Sequence, residues 1–314
     1  MNKIILFLLC FLLGSSFSTF AQGRDREIKI SRQQESPVKT VKVRGKGKIK
    51  NVVFMIGDGM SLAHMYSTWA ANKGKLNLEN CQTVGLAKTY CCDRLITDSG
   101  AAGTALATGH KTRYHAVGVD PEGKPLLTLT DLAAAKSKST GVVVTCRLND
   151  ATPAAFCAHN SDRDQAEELI ADYAGCGVDF IFGGGKRYFC ERKDGRNILE
   201  EMKALGYQTP ENQEQLDAIQ TGKVLAVWAD HDLPRPSVRK EMLTESTMKA
   251  LELLSQNKKG FFLMVEASQI DDYGHANQLD PLVEEILDFD RTIGKVFEWA
   301  AADGETLVVV TADH

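Results

Sequence analysis

The sequence predicts an α/β protein: a mostly parallel central sheet with helices packed on both of its faces. Three observations predict it. Short, continuous apolar runs alternate with longer segments whose apolar residues recur every three or four positions, as expected of buried strands joined by amphipathic crossover helices. Several runs end in an acid or a histidine, and in an open parallel sheet ligands bind at the carboxyl ends of the strands. Internal repeats and low-complexity segments, which would indicate other architectures, are absent from the sequence.

The elements begin at residue 50. "NVVFMIGD" is a buried strand running into Gly57, "LTDLAAAKSK" is helical and "GVVVTC" is the next strand. "DRDQAEELIADYAG" is a helix closed by Gly175, followed by the strand "VDFIFGGG". "KVLAVW" is a further strand. "TESTMKALELLSQNKKG" has the polar start and Lys-Gly end of a helix and leads into the strand "FFLMVEAS". A last helix places apolar residues at 282, 286, 289, 293, 296 and 297 on one face, ahead of the core strand that opens "TLVVVTADH".

With 314 residues, 43% apolar and 25% charged, the chain can bury one large core. A net charge of -4 argues against a nucleic-acid surface built on bulk positive charge. The opening "MNKIILFLLCFLLGSSFSTFAQG" sets one lysine before an apolar stretch, with Thr19 and Ala21 as a small-x-small cleavage site. Residues 1–21 are thus expected to be a signal peptide, 22–49 a polar, basic arm or edge strand, and 50–314 the folded domain. A membrane anchor is the alternative, but spanning needs about 20 apolar residues. The expectation is an exported protein, periplasmic or secreted, without a stable membrane anchor. Seven cysteines follow the leader, so at least one is unpaired within the chain.

The acids at the strand ends are Asp58, Asp150, Glu266 and Asp313, the last followed by His314. One alone reads as a cap or turn residue; four converging carboxylates need cations among them. "VEASQIDDYGHAN" adds Asp271 and His275, four positions apart, which share one metal if that segment is helical. Asp58, flanked by glycines in "MIGDGM", is placed to bridge two ions. Ser99 in "TDSGAAGTALATGHKT" is the candidate nucleophile, at the start of a helix whose first N–H groups would face an anion. It sits in no G-x-S-x-G elbow and no P-loop, so its activation is assigned to metal. "NDATPAAFCAHNSDRDQ" offers Thr152, a hydroxyl ligand that completes an oxygen-rich magnesium site with Asp58 and Glu266. In the same stretch Arg163 opens a helix, and its fork suits two phosphate oxygens.

Six ordered motifs carry a resemblance: "NVVFMIGDGM", "TDSGAAGTALATGHKT…GVD", "DATPAAFCAHNSDR", "FGGGKRYF", "VEASQIDDYGH" and "TLVVVTADH". Together they resemble the alkaline phosphatases, from about residue 50 onward. The resemblance implies phosphate monoesters as substrates, two zinc ions and one magnesium. It implies that Ser99, after Asp98, is phosphorylated and that Arg163 clamps the phosphate. It assigns one zinc to Asp58, Asp313 and His314, and the other to Asp271, His275 and a histidine from a later segment. Magnesium goes to Asp58, Thr152 and Glu266. One zinc lowers the serine pKa while the other holds the leaving oxygen. Relatives are often dimers, so a homodimer is an expectation, with no interface visible in the sequence.

In these phosphatases more chain follows the "TADH" strand, so the present sequence is expected to be truncated at its C-terminus, the fold incomplete there and the fragment weakly active or inactive. Asp272 stands where relatives carry lysine, histidine or tryptophan. With Asp150 it adds negative charge near the anion, or else it is a solvent-facing acid. The rivals are a phosphodiesterase or sulfatase of the same superfamily and a non-catalytic metal- or phosphate-binding fragment. Ser99 and Arg163 favour monoesters, since sulfatases use formylglycine and diesterases often threonine.

Overall fold

A computed structural model describes residues 36–42, 45 and 47–314; the leader read at 1–21 lies outside them, as do residues 22–35 of the arm. The sheet is wholly parallel. Its strands are β1 (Asn51–Gly57), β2 (Ser139–Arg147), β3 (Phe180–Gly184), β4 (Tyr207–Gln208), β5 (Lys223–Val227), β6 (Phe261–Ala267) and β7 (Thr306–Ala312), in the order β4-β5-β3-β2-β6-β1-β7. Parallel neighbours require a crossover between them, and helices fill those crossovers. Before β2 lie α1 (Leu62–Ala71), α2 (Ser99–Thr108) and α3 (Leu129–Ala135); after it come α4 (Ala151–Ala154) and α5 (Ala166–Cys176). Then follow α6 (Lys186–Cys190), α7 (Ile198–Ala204), α8 (Gln213–Ala218), α9 (Pro236–Arg239), α10 (Met242–Leu254), α11 (Gln269–His275) and α12 (Leu279–Asp303).

Cover on both faces buries every residue of β3 and β6, which is why those strands read as unbroken apolar runs. In α12 the stripe of Leu282, Ile286, Phe289, Ile293 and Val296 is buried as its spacing predicts. Three expectations are corrected. The helix predicted to close at Gly175 continues through it and ends at Cys176, with Gly177 at φ +70° as the left-handed cap. The core strand predicted at "TLVVV" lies at the sheet margin: it pairs with β1 alone among the described residues, and its residues are half-exposed. Residues 36–42 of the arm form no strand and are tied to the domain. The N–H groups of Ser36, Lys39 and Val41 donate to the side-chain oxygens of Asn72, Asn77 and Asn80. Among the described residues no helix is long and apolar enough to cross a membrane.

Candidate active site

The strand order assembles the site. β2, β6, β1 and β7 are neighbours, so the acids that follow or end them meet at one edge. Gly57 of β1 lies in register with Ala267 of β6 and Ala312 of β7. Asp58 and Asp313 therefore emerge side by side, with Glu266, opposite Ile56, two residues lower. Gly59 turns the chain at φ +58°, and a side chain there would collide with the Asp271 carboxylate. Its N–H donates to Asp313 Oδ1 at 3.0 Å.

His314 Nε2 lies 3.2 Å from Asp58 Oδ1 and 3.5 Å from Asp313 Oδ2. Asp271 joins them: one ligand atom each from Asp58, Asp271 and His314 lies within 4.8 Å of the others. Asp271 Oδ2 is 3.2 Å from His275 Nε2 because α11 is helical there and sets positions four apart on one face. The His275 side chain is 81% exposed. Burial pushes the Asp58 carboxyl well above the usual carboxylate range, and Asp313 beside it pushes the same way. Glu266, 1% exposed, is raised likewise by burial and by Asp58. Burial raises Asp313 as well. Burial alone would lower the His314 imidazole, but the hydrogen bond to Asp58 and the charge of Asp313 raise it to about 9.

These donors fit divalent cations. Thr152 Oγ1 and Asp313 Oδ2 are buried without a hydrogen-bond partner, and Glu266 receives a weak contact from Cys146 Sγ at 3.8 Å. Buried acids and hydroxyls of this kind are costly unless a cation or donor satisfies them. Carboxylates with imidazole suit zinc; carboxylates with a hydroxyl suit magnesium.

Ser99 is the first residue of α2, and its Oγ lies 3.5 Å from Asp58 Oδ1 and 3.3 Å from His314 Nε2. The His314 imidazole thus stands beside the serine. Its Nε2 is turned toward Asp58 and Asp313 as well as the serine, the arrangement of a shared metal ligand. The helix start differs from expectation: the N–H groups of Gly100 and Ala101 already donate to the Asp98 carboxylate, at 3.1 and 3.2 Å. Asp98 also accepts from the His115 N–H at 3.1 Å and from Arg163 Nη1 at 3.0 Å. Burial opposes its charge, but those donors hold its carboxyl below the ordinary value. Arg163 does not open a helix. It sits in the turn before α5, its N–H bonded to the His115 carbonyl, and its Nη2 donates to Asp150 Oδ1 at 3.0 Å.

Asp272, on α11, matches the solvent-facing alternative in its exposure, yet partial burial and the nearby Asp232 and Asp150 raise it to about 6. The sequence reading missed Arg147 and Asp232. Arg147 ends β2 and bonds both Asp150 and Asp232. The signal was present, since Asp232 is one more acid shortly past a strand's carboxyl end.

Fold and site together define an α/β protein with a carboxylate–histidine metal centre facing a serine at a helix N-terminus. The chain belongs to the alkaline phosphatase family, whose model matches residues 49–314. It is 38% identical to alkaline phosphatase 4 of Bacillus subtilis over 90% of this chain and 64% of that protein. It is 34% identical to alkaline phosphatase 3 of the same organism over 96% of this chain and 67% of that one. The alkaline phosphatase of the Antarctic bacterium TAB5 superposes with a TM-score of 0.83 at 36% identity, over 85% of this chain and 80% of that one. A variant of that protein, described with magnesium bound, gives 0.81 at 35% identity over 87% of this chain and 79% of that one. The chain thus spans about two thirds of the length of these Bacillus relatives.

Proposed function

We propose that this chain is the greater part of a phosphate monoesterase that works through a phosphoserine. One observation carries the reading: Ser99 Oγ lies within 3.5 Å of buried acid and imidazole groups that need cations. Arg163, held from both sides by Asp98 and Asp150, presents its remaining N–H groups to the phosphate oxygens. Ser99 Oγ attacks phosphorus, the bond to the alcohol oxygen breaks, and the phosphoryl group rests on the serine. A water molecule then attacks the phosphoserine, and Ser99 leaves with its oxygen. Asp98 fixes the geometry by capping α2 and holding Arg163 at once.

Asp58, Asp313 and His314 would hold one zinc, Asp271 and His275 a second, and Asp58, Thr152 and Glu266 a magnesium. When bound, these ions lower the serine pKa and meet the charge on the attacking and leaving oxygens. The magnesium described in the TAB5 variant supports the presence of a magnesium among these ions. Export and a homodimer belong to the same reading.

The test compares a monoester, a diester and a sulfate ester as substrates of the complete, metal-loaded protein. Only the monoester should turn over rapidly. Ser99→Ala should abolish turnover, and acid-quenched wild type should carry phosphate on Ser99 by peptide mass spectrometry; phosphate elsewhere refutes the assignment. Only two ligands are identified here for the second zinc. Residues 1–314 alone should therefore bind it weakly and turn over slowly, and a zinc titration showing two tight sites would refute that.

A further inference from the structure

Two arginines and three aspartates form one chain of ion pairs beside the serine. Arg147 donates its N–H to Asp232 Oδ1 at 2.8 Å, and its Nη1 reaches both Asp232 oxygens at 3.2 and 3.1 Å. Its Nη2 takes Asp150 Oδ2 at 3.0 Å. The other oxygen of Asp150 accepts from Arg163 Nη2 at 3.0 Å and from the Ala151 N–H at 2.6 Å. Arg163 Nη1 ends the chain on Asp98 Oδ2 at 3.0 Å. Asp232 itself is held in place, because the next residue, Leu233, donates its N–H to the Thr145 carbonyl at 3.0 Å and accepts from Gln269 Nε2.

A carboxylate with both oxygens free pairs preferentially with both arms of a guanidinium, the same fork a phosphate uses. Asp150 has only one oxygen left for Arg163, because Arg147 occupies the other. We infer that Arg147, locked by Asp232, is a positioning residue that stops Asp150 from capturing Arg163 at both arms and so keeps the Arg163 fork open for phosphate. The inference rests on Arg163 being the phosphate clamp of the proposed monoesterase.

The test is inorganic phosphate binding to the zinc- and magnesium-loaded protein by calorimetry, with KM and kcat for a monoester alongside. Arg147→Ala should weaken phosphate binding about tenfold and raise KM similarly, with kcat changed less than threefold. Arg147→Lys, a point charge that can serve one aspartate but not both, should recover part of the loss. In an Asp150→Ala background the Arg147 substitution should have no further effect. Unchanged phosphate affinity in Arg147→Ala, or an equal loss in the Asp150→Ala background, overturns the inference. If Arg147→Ala does not fold, Asp232→Asn is read in the same way. Wild-type phosphate binding without monoester turnover would defeat the monoesterase reading alone, and the calorimetric comparison would still decide this one.

Discussion

Replacing Arg239 by methionine should cost about 3–5 kcal/mol of stability, the usual penalty for leaving buried charge unpaired. The side chains of Arg239, Glu285 and Asp288 are fully buried. Arg239 donates to both Glu285 oxygens, at 2.9 and 3.0 Å, and to Asp288 Oδ2 at 2.7 Å. Burial raises the Glu285 carboxyl even with the arginine present, so without it Glu285 must take up a proton or remain a bare charge. Arg291 still reaches Asp288 Oδ1 at 2.9 Å, so the loss falls mainly on one acid and does not double. For a domain of this size that predicts a melting temperature lower by roughly 6–15 °C. The effect should spread to the site. Thr145 Oγ1 donates to Glu285 Oε1 and accepts the Ser268 N–H, while Gln269 Nε2 bonds the Thr145 carbonyl. These contacts seat the start of α11, which carries Asp271 and His275. Urea unfolding of the metal-loaded variant, with a zinc titration beside it, measures both. A loss below about 1 kcal/mol would show that the network is not the buried, dry ion pair described.

Two further outcomes are expected. Asp58 and Glu266 titrate above their ordinary values in the fold, and His314 at about 9 against 6.5. All three contributions are present at acid pH and are lost as pH rises through the raised values. The chelated protein should thus melt lower at pH 9 than at pH 6, and metals should restore more stability at pH 9; thermal scans with and without chelator check this, and a chelated protein more stable at pH 9 contradicts it. Thr152→Val removes a buried hydroxyl that has no partner, so it should leave the chelated protein as stable or about 1 kcal/mol more stable while lowering magnesium affinity. Loss of stability without metal would mean that the hydroxyl has a partner after all.

The strand ends were readable in the sequence because a buried parallel strand has no reason to finish on a carboxylate, so Asp58, Glu266 and Asp313 stood out. The spacing of Asp271 and His275 was equally plain, since a helical turn brings positions four apart together. Sheet order was not readable: "TLVVV" has the same composition whether a strand lies in the middle or at the margin, and only its pairing with β1 alone reveals the latter. The closing glycine of α5 was misplaced because Gly175 and Gly177 are both candidates, and backbone geometry chose Gly177. Arg147 was missed because one arginine after a strand is unremarkable until Asp150 and Asp232 are seen on either side of it.

The adjacency of β7 and β1 has a consequence for the order of events during folding. The ligands of the proposed first zinc follow β1 and β7, so that pocket does not exist until β7 is laid against β1, whereas the proposed magnesium ligands Asp58, Thr152 and Glu266 are brought together by β1, β2 and β6 alone. Uptake of that one ion would therefore wait until β7 has docked. Captured there, it would act as a seal on the β1–β7 pairing rather than as a template around which the two strands form.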